Sequence, residues 1–327
     1  MSSVARQLSY SLAINEALHQ AMAADSRVFL IGQGVKSPWY VGNTANGLLK
    51  RFGPSRVIDT PVSENGVTGA AVGAAITGMR PIVVHPRMDF MLYGLDPIIN
   101  QAANWHFMSG GTSSVPMVIW GIVNRGGEQA AQHSQALHSL FCHVPGLKVV
   151  APSTPSDAKG LMLAAIHDDN PVVFVDDRQL YGITEAVPEE PYQTPIGKGR
   201  VRRAGTDVTV FCYSSMVPLA LDAGERAAKD GISSDVVDLR TLKPFDRELI
   251  LSGVAATGRV VICDVGWKSG GWAAEIMATI AEAGIPLKSS PRRVALPDVP
   301  AGAARTLECG YYPTAETILA AIRGVTA

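Results

Sequence analysis

Cysteines, charged residues and long apolar runs are all scarce in this sequence. The cysteines are widely spaced and form no CxxC pair, which argues against a disulfide framework or a zinc site and fits a reducing cytoplasm; there are four of them, Cys142, Cys212, Cys263 and Cys309. Only 17% of the residues are charged and the net charge is −1, so nothing indicates a nucleic-acid or membrane-surface partner. No window offers about 18 uninterrupted apolar residues, so no membrane span is predicted.

What the sequence does contain is enough apolar material for large buried surfaces. Its 327 residues, 47% of them hydrophobic, suit about two ordinary globular domains. The 32 glycines and 21 prolines are dispersed rather than clustered, so no disordered tract is predicted. The first 22 residues, MSSVARQLSYSLAINEALHQAM, predict an amphipathic helix rather than a signal peptide.

Helical and strand-like segments alternate over the first half of the chain. The strands are short apolar runs, which is typical of a mostly parallel sheet covered on both faces. A Gly-rich loop is predicted over 121–127. The predicted helices cover 9–24, 65–77, 95–108 and 155–167, and the predicted strands cover 28–31, 57–59, 80–85, 116–120, 147–151 and 172–175.

A proline-rich break divides the chain. The segment 187–195 reads VPEEPYQTP, which predicts an inter-domain linker. After it the alternation restarts, with strands over 208–213, 234–239 and 259–264 and helices over 218–230, 246–257, 272–282 and 314–323. The sequence therefore predicts two α/β domains with mostly parallel sheets, residues 1–188 and residues 194–327.

The strongest local signal is DTPVSENGVTGAAVGAA, residues 59–75. Gly66, Gly69 and Gly73 fall three and four residues apart, on one face of the predicted helix, where another helix could approach closely. Glu64 stands in the first turn, where the helix dipole favours an acid. The spacing of these glycines alone fits a tightly packed helix pair as well as it fits a binding site.

This segment resembles the signature of the pyrimidine-binding domain of thiamine-diphosphate enzymes. In that family the acid at the position of Glu64 hydrogen-bonds a ring nitrogen of the aminopyrimidine. The proton shared in this hydrogen bond stabilises the imino tautomer of the ring, which takes the proton from the cofactor's thiazolium carbon. The resemblance runs in register from about residue 9 to residue 323. The chain is similar to the β subunit of branched-chain 2-oxo acid and pyruvate dehydrogenase first components, most clearly at 100–111, 132–162, 166–174 and 235–246. The resemblance implies a pyrimidine-binding domain followed by a transketolase C-terminal-like domain.

Further site residues follow from the resemblance one by one. Phe90 matches the aromatic residue that packs on the pyrimidine, with a core phenylalanine as the alternative. Val62 is expected to line the same pocket. His133, in QHSQ, matches the active-site histidine near the substrate carboxylate, with a hydrogen-bonded loop residue as the alternative.

The resemblance also implies cofactors and a partner. Related β subunits often hold potassium with backbone carbonyls, which by position are those of Met117, Ala165, Ile166, Asp168 and Asn170. The family's magnesium-binding mark, GDG followed by an asparagine, does not occur in this sequence. A diphosphate needs its charge offset. We therefore expect the magnesium on a separate α subunit, an α2β2 heterotetramer with the cofactor at the α/β interface, and no activity from this chain alone.

The chain also departs from the family pattern at several positions. Gln33 stands where the family has an acid, His138 stands where it often has a glutamate, and Cys263-Asp264 stands where it often has a His-Glu pair. His85 and Arg87 come close before Phe90. They suggest a cationic wall for an anionic or sugar-like acceptor, with Arg87 paired to Asp89 or to the partner chain as the alternative.

The function that the resemblance implies is decarboxylation of a 2-oxo acid, with the acyl group passing to the lipoyl group of a transacylase. Glu64 activates the cofactor, Phe90 holds its ring and His133 acts on the substrate. Two alternatives remain open at this point: a split transketolase or acyloin-forming carboligase, which the departures favour, and a non-catalytic scaffold subunit, which does not need those three residues together.

Overall fold

The computed structural model describes residues 6–37 and 39–327. In the first half of the chain, 3₁₀ helices lie at Gly42–Ala45, Met88–Gly94 and Arg178–Leu180, and a π-helix lies at Asp96–Ala102. The remaining elements are β1 (Gln7–Ser9), α1 (Tyr10–Ala24), β2 (Val28–Gly32), α2 (Leu48–Phe52), β3 (Val57–Asp59), α3 (Glu64–Ile76), β4 (Arg80–His85), α4 (Ala103–Met108), β5 (Val118–Val123), α5 (His138–His143), β6 (Lys148–Val150), α6 (Pro155–His167), β7 (Val172–Asp177) and β8 (Thr184–Ala186).

The second half again alternates strands and helices. Its elements are β9 (Arg200–Arg203), β10 (Val208–Cys212), α7 (Met216–Lys229), β11 (Ser234–Asp238), β12 (Thr241–Lys243), α8 (Arg247–Thr257), β13 (Val260–Trp267), α9 (Trp272–Glu282), β14 (Arg292–Leu296), α10 (Arg305–Glu308) and α11 (Ala315–Thr326).

Two mostly parallel sheets form the cores of the two halves. The seven-stranded sheet has the order β12-β6-β7-β5-β4-β2-β3, and all its pairs are parallel except β12 with β6. The five-stranded sheet has the order β14-β13-β10-β11-β9, with only β9 antiparallel. Every residue of β5 and β7 is buried, as expected for strands covered on both faces. The predicted fold class is confirmed.

One strand crosses between the two halves. The sequence assigns Thr241–Lys243 to the second domain, but in the structure this segment, β12, pairs with β6 at the edge of the first sheet. Thr241 lies opposite Val150, and Lys243 lies opposite Val149. A three-residue strand with a register shift is too short to show a period, so the sequence gives no sign of it.

A buried ion-pair network joins the two halves near this strand. The Arg202 guanidinium contacts Asp157 of α6, and its Nη2 lies 2.8 Å from Asp238 Oδ2 at the end of β11. Arg240 Nη1 donates to the other oxygen of Asp157 at 2.9 Å. Burial raises the pKa of the Asp238 carboxyl, although Arg202 opposes that shift. The two carboxylates therefore depend on the two guanidiniums for their charge balance.

The predicted linker is tied to the first domain by a buried lysine. Lys159 Nζ donates to the carbonyl oxygens of Pro188, Glu189 and Glu190 at 2.6, 2.9 and 3.1 Å, and to Glu16 Oε1 at 2.5 Å. Its side chain is fully buried. All the ammonium protons therefore have acceptors, which offsets the cost of burying the charge.

Most predicted boundaries lie within about three residues of the observed ones. The N-terminal helix is confirmed as α1 from Tyr10 onward, with the Ser9 side chain accepting the Leu12 N–H at 3.3 Å. Within the predicted segment, Gln7–Ser9 form the strand β1 instead, and the first five residues lie outside the described range.

The helix predicted over 95–108 is confirmed as one unbroken helical segment, in which Asp96–Ala102 has π-helical hydrogen bonding and α4 follows directly. Gly121 lies in β5 rather than in the predicted loop. A Cβ there would stand 2.4 Å from the Met91 sulfur, which accounts for a glycine at this position. No helix in the described ranges is both long and apolar enough to cross a membrane.

Candidate active site

The carboxyl edge of the first sheet places an acid at the start of a helix. Chain from β3 turns through Pro61 and Ser63, and Glu64 is the first residue of α3. Glu64 is partly buried, and the N-terminus of α3 favours its negative charge. The helix thus holds the carboxylate at the sheet edge where ligands of open α/β folds bind.

A cavity of about 630 Å³ opens in front of this carboxylate. The four residues predicted for cofactor and substrate, Val62, Glu64, Phe90 and His133, all lie on its walls. They come from three separate segments of the chain, so only the fold brings them together. The complete lining is Gln33, Tyr40, Val62, Ser63, Glu64, Asn65, Phe90, Tyr93 and His133.

Two aromatic rings define one side of the cavity. The Phe90 ring meets the His133 imidazole edge to face, with ring centroids 5.3 Å apart and an interplanar angle of 81°. Phe90 is therefore a wall residue of the cavity and not a core residue, as its alternative would require. The contact also fixes the distance between the Phe90 ring and the His133 imidazole.

The cavity is also lined by a residue that the sequence analysis does not identify, Tyr40. Tyr40 lines the cavity beside Gln33, and Gln33 Nε2 donates to the Tyr40 hydroxyl at 3.1 Å. Gln33 was singled out as a departure from the family pattern. Tyr40 gave no signal, because it lies in a loop without motif or periodicity.

His85 does not supply the positive charge that the sequence suggested. Its side chain is 2% exposed at the end of β4, and its Nε2 lies 3.4 Å from the Thr68 hydroxyl. Burial lowers the pKa of His85 to about 4, so the imidazole is neutral near pH 7. The expected cationic wall of His85 and Arg87 is therefore wrong for His85.

Arg87 keeps its charge without an ion pair among the described residues. It is not paired with Asp89. Its guanidinium lies 5.8 Å from the centroid of the Tyr40 ring, and Nη2 reaches Gln129 Oε1 at 3.4 Å. Arg87 thus stands directly behind the Tyr40 wall. Its role toward an anionic acceptor stays a prediction, which unchanged activity of an Arg87→Ala complex would contradict.

Two of the carbonyls expected to hold potassium, those of Ile166 and Asp168, are contacted by one arginine. Arg80 Nη1 donates to the carbonyl oxygens of Ile166 and Asp168, each at 3.0 Å. The Met117 carbonyl accepts the Val172 N–H at 3.0 Å. Each carbonyl has a second lone pair, so an ion here would share oxygens with the Arg80 guanidinium.

The departures at His138 and Asp264 form one buried cluster between the two halves. The Tyr213 hydroxyl lies 2.7 Å from His138 Nε2 and donates to Asp264 Oδ1 at 2.5 Å, while His138 Nε2 lies 3.3 Å from the same oxygen. Burial alone would raise the pKa of Asp264, but the hydrogen bonds and the charge of His138 outweigh it and lower that pKa to about 2. The two residues that depart from the family pattern are therefore in direct contact.

The fold defines a chain of two domains of the transketolase type. Residues 6–184 match the family model described as the pyrimidine-binding domain of transketolase, and residues 197–318 match its C-terminal domain. The expected domains, 1–188 and 194–327, enclose these two matches. A solved structure titled split gene transketolase, inactive beta4 tetramer, has the same fold, with a TM-score of 0.80, 21% identity and coverage of 96% of this chain and 97% of that one.

Curated relatives narrow the assignment. The chain is 43% identical to the acetoin:2,6-dichlorophenolindophenol oxidoreductase β subunit of Cupriavidus necator, with 98% of each covered. It is 40% identical to the pyruvate dehydrogenase E1 β subunit of Rickettsia felis, with 98% of each covered. It is also 40% identical to the acetoin enzyme's β subunit from Bacillus subtilis, with 97% of this chain and 98% of the relative covered. This chain belongs to the family of thiamine-diphosphate-dependent dehydrogenase β subunits.

Proposed function

We propose that this chain is the β subunit of a 2-oxo acid dehydrogenase that decarboxylates its substrate and passes the acyl group to a lipoyl group of a transacylase. The observation that carries the proposal is the convergence of Glu64, Phe90 and His133 on one cavity. A scaffold subunit would not need an acid, a ring-binding surface and a proton carrier at one place. The relatives are dehydrogenase subunits, which favours this function over a split transketolase.

Each of the three residues has a distinct task in the proposed reaction. Thiamine diphosphate, when bound, supplies the carbon that reacts with the 2-oxo acid. The Glu64 carboxyl shares a proton with a pyrimidine ring nitrogen, and the Phe90 ring packs on that pyrimidine. His133 faces the substrate and holds or donates a proton there, a task for which an imidazole is suited.

The shape of the cavity supports a site completed by a second chain. Val62 and Tyr93 line it, yet they are 69% and 75% exposed. Gly69 and Gly73 on α3 have no atom within 4 Å of where a Cβ would lie, so their face is open to close approach by another helix. We propose that an α subunit covers this surface in an α2β2 heterotetramer and holds the magnesium and diphosphate. A potassium ion beside Arg80 stays a prediction.

Calorimetry tests the shared site first. We expect thiamine diphosphate with magnesium to bind the co-expressed complex and not the isolated β chain, because this chain presents the pyrimidine half of the site. Both samples are titrated under the same conditions, and magnesium alone serves as the blank. Tight binding by the isolated chain would show that it anchors the diphosphate itself, and the heterotetramer proposal would then be abandoned.

A second substrate class is favoured by the relatives named for acetoin. An acyloin carries a carbonyl beside a hydroxyl and would undergo carbon–carbon cleavage instead of decarboxylation. Turnover of the complex with a dye acceptor, measured separately with 2-oxo acids and with acyloins, distinguishes the two. If every acyloin tested is turned over faster than the 2-oxo acids, an acyloin becomes the proposed substrate in place of a 2-oxo acid.

A further inference from the structure

The loop that carries His133 faces an open cavity on one of its sides. This His133 loop, residues 124–137, connects β5 to α5. Its stretch 126–128 lines a second cavity, of about 770 Å³, between the two halves of the chain. At Gly126 and Gly127 no atom lies within 4 Å of where a Cβ would stand. Packing therefore does little to hold these two glycines in place.

The backbone that follows the two glycines is strained. Glu128 and Ala130 have φ of 64° and 59°, in the left-handed region that residues with a side chain rarely adopt. A conformation of this kind persists only where the surrounding contacts enforce it. The path of the chain towards His133 therefore depends on the hydrogen bonds that the loop makes.

The second half of the chain supplies a hydrogen bond at this strained point. Glu308 Oε2, at the end of α10, accepts the Glu128 N–H at 2.9 Å. Glu308 is only 6% exposed, and its other oxygen, Oε1, has no hydrogen-bond partner among the described residues. A carboxylate is a stronger acceptor of a backbone N–H than a neutral group is. Within the described ranges, the Glu308 side chain is thus committed to the His133 loop.

A contact inside the loop connects the strained stretch to the histidine. The Ala130 carbonyl oxygen accepts the Ser134 hydroxyl at 2.5 Å, so the turn that contains His133 closes on a strained residue. A change in the path of the chain at Glu128 would therefore be passed on to the turn. The His133 imidazole would move with it.

The two ends of the His133 loop are held by other contacts. Near its start, Arg125 donates to the Val265 carbonyl oxygen of β13 in the second half. Near its other end, the Gln135 N–H donates to Asp89 Oδ1 at 3.3 Å. With both ends held, the middle of the loop is the part whose position depends on the hydrogen bond at Glu128.

We propose that Glu308 is a positioning residue, whose hydrogen bond to the Glu128 N–H fixes the His133 loop and holds the imidazole against Phe90 in the candidate active site. The inference rests on the proposed role of His133 and extends it to the residue that supports its loop. The edge-to-face contact of His133 with Phe90, at 5.3 Å between centroids, is what a shifted loop would lose. The second half of the chain thus contributes to the site without placing a side chain on the cavity wall.

A pair of variants isolates the hydrogen bond. Glu308→Met and Glu308→Gln both remove the charge and keep the size of the side chain, but only glutamine keeps an oxygen that accepts the Glu128 N–H. We expect kcat of the Glu308→Met complex to fall about tenfold to a hundredfold, the effect of misplacing a reacting group by about 1 Å. Glu308→Gln should retain most of the activity. Thiamine diphosphate affinity should change in neither, because Glu64 lies on another segment.

The assay uses the 2-oxo acid or acyloin that the wild-type complex turns over fastest with a dye acceptor, and calorimetry gives cofactor affinity. The matched control is Glu185→Met. Glu185 Oε1 accepts the Ser156 N–H at 2.6 Å and does not line the active-site cavity, so its loss should leave kcat unchanged. Wild-type kcat in Glu308→Met, or equal losses in Glu308→Met and Glu308→Gln, would overturn the inference. Should Glu308→Met fail to fold, Glu308→Ala is compared with Glu308→Gln in the same way.

A His133→Ala background shows whether the effect passes through the histidine. Residues that act as a unit have non-additive effects, so Glu308→Met should lower kcat little further in that background. A loss of the same factor in both backgrounds, beside an impaired His133→Ala complex, refutes the positioning role alone. A fully active His133→Ala complex refutes the proposed role of His133, and the inference with it.

Discussion

Glu64→Gln in the co-expressed complex is expected to lower kcat by about 10²–10⁴-fold while the complex still binds thiamine diphosphate. Glutamine preserves the shape of the side chain at the start of α3 and its capacity for hydrogen bonding. It cannot hold or release a proton toward the pyrimidine ring. Steady-state turnover of the 2-oxo acid, with cofactor affinity measured by calorimetry, separates the loss of chemistry from a loss of binding.

The control for this prediction is Glu225→Gln. Glu225 is exposed on α7, and its substitution should change neither turnover nor cofactor affinity. A Glu64→Gln or Glu64→Ala complex with full activity would contradict the proposed role of the acid. That result would also revive the hypothesis of a scaffold subunit.

Arg202→Met is expected to destabilise the folded chain by about 3–5 kcal/mol, the range for removing one partner of a buried ion pair. Methionine approximates the aliphatic part of arginine but leaves Asp238 without an ion-pair partner, whereas Asp157 keeps its pair with Arg240. Asp238 is fully buried, so water cannot replace the lost guanidinium. Denaturant unfolding followed by circular dichroism gives the change in free energy.

Two further variants show whether burial is the cause. Arg226→Met removes a solvent-exposed ion pair with Asp222 on α7 and should have little effect. The double variant Arg202→Met/Asp238→Asn removes the carboxylate that lost its partner and should recover part of the lost stability. Equal losses in Arg202→Met and Arg226→Met would show that the junction network contributes no more than a surface pair.

The buried parallel strands and long helices were predictable from the sequence. The strands β3 and β4 and the helices α6 and α9 begin and end where the apolar patterns predicted. The short or partly exposed strands were missed, namely β1, β8, β9, β12 and β14. Such strands owe their existence to a neighbouring strand that is distant in sequence, and no local pattern records that neighbour.

The site, like the fold, was only partly predictable from the sequence. The family resemblance indicated Glu64, Phe90, Val62 and His133, and the structure brings all four to one cavity; their roles stay predictions. The charge on His85 could not be predicted, because it depends on how deeply β4 buries the imidazole. Asp89 was considered only as a possible partner for Arg87, because its contact with the His133 loop is made across 46 residues of chain.

The strand β12 makes the two halves of this chain interdependent. A fragment ending at residue 188 would lack the segment that pairs with β6, and its unpaired sheet edge would promote aggregation. A chimera that combines halves from two relatives would have to match that edge as well as the junction at Arg202. Interchange of halves during evolution or engineering is thus limited by three residues, Thr241–Lys243, that lie more than forty positions beyond the apparent linker.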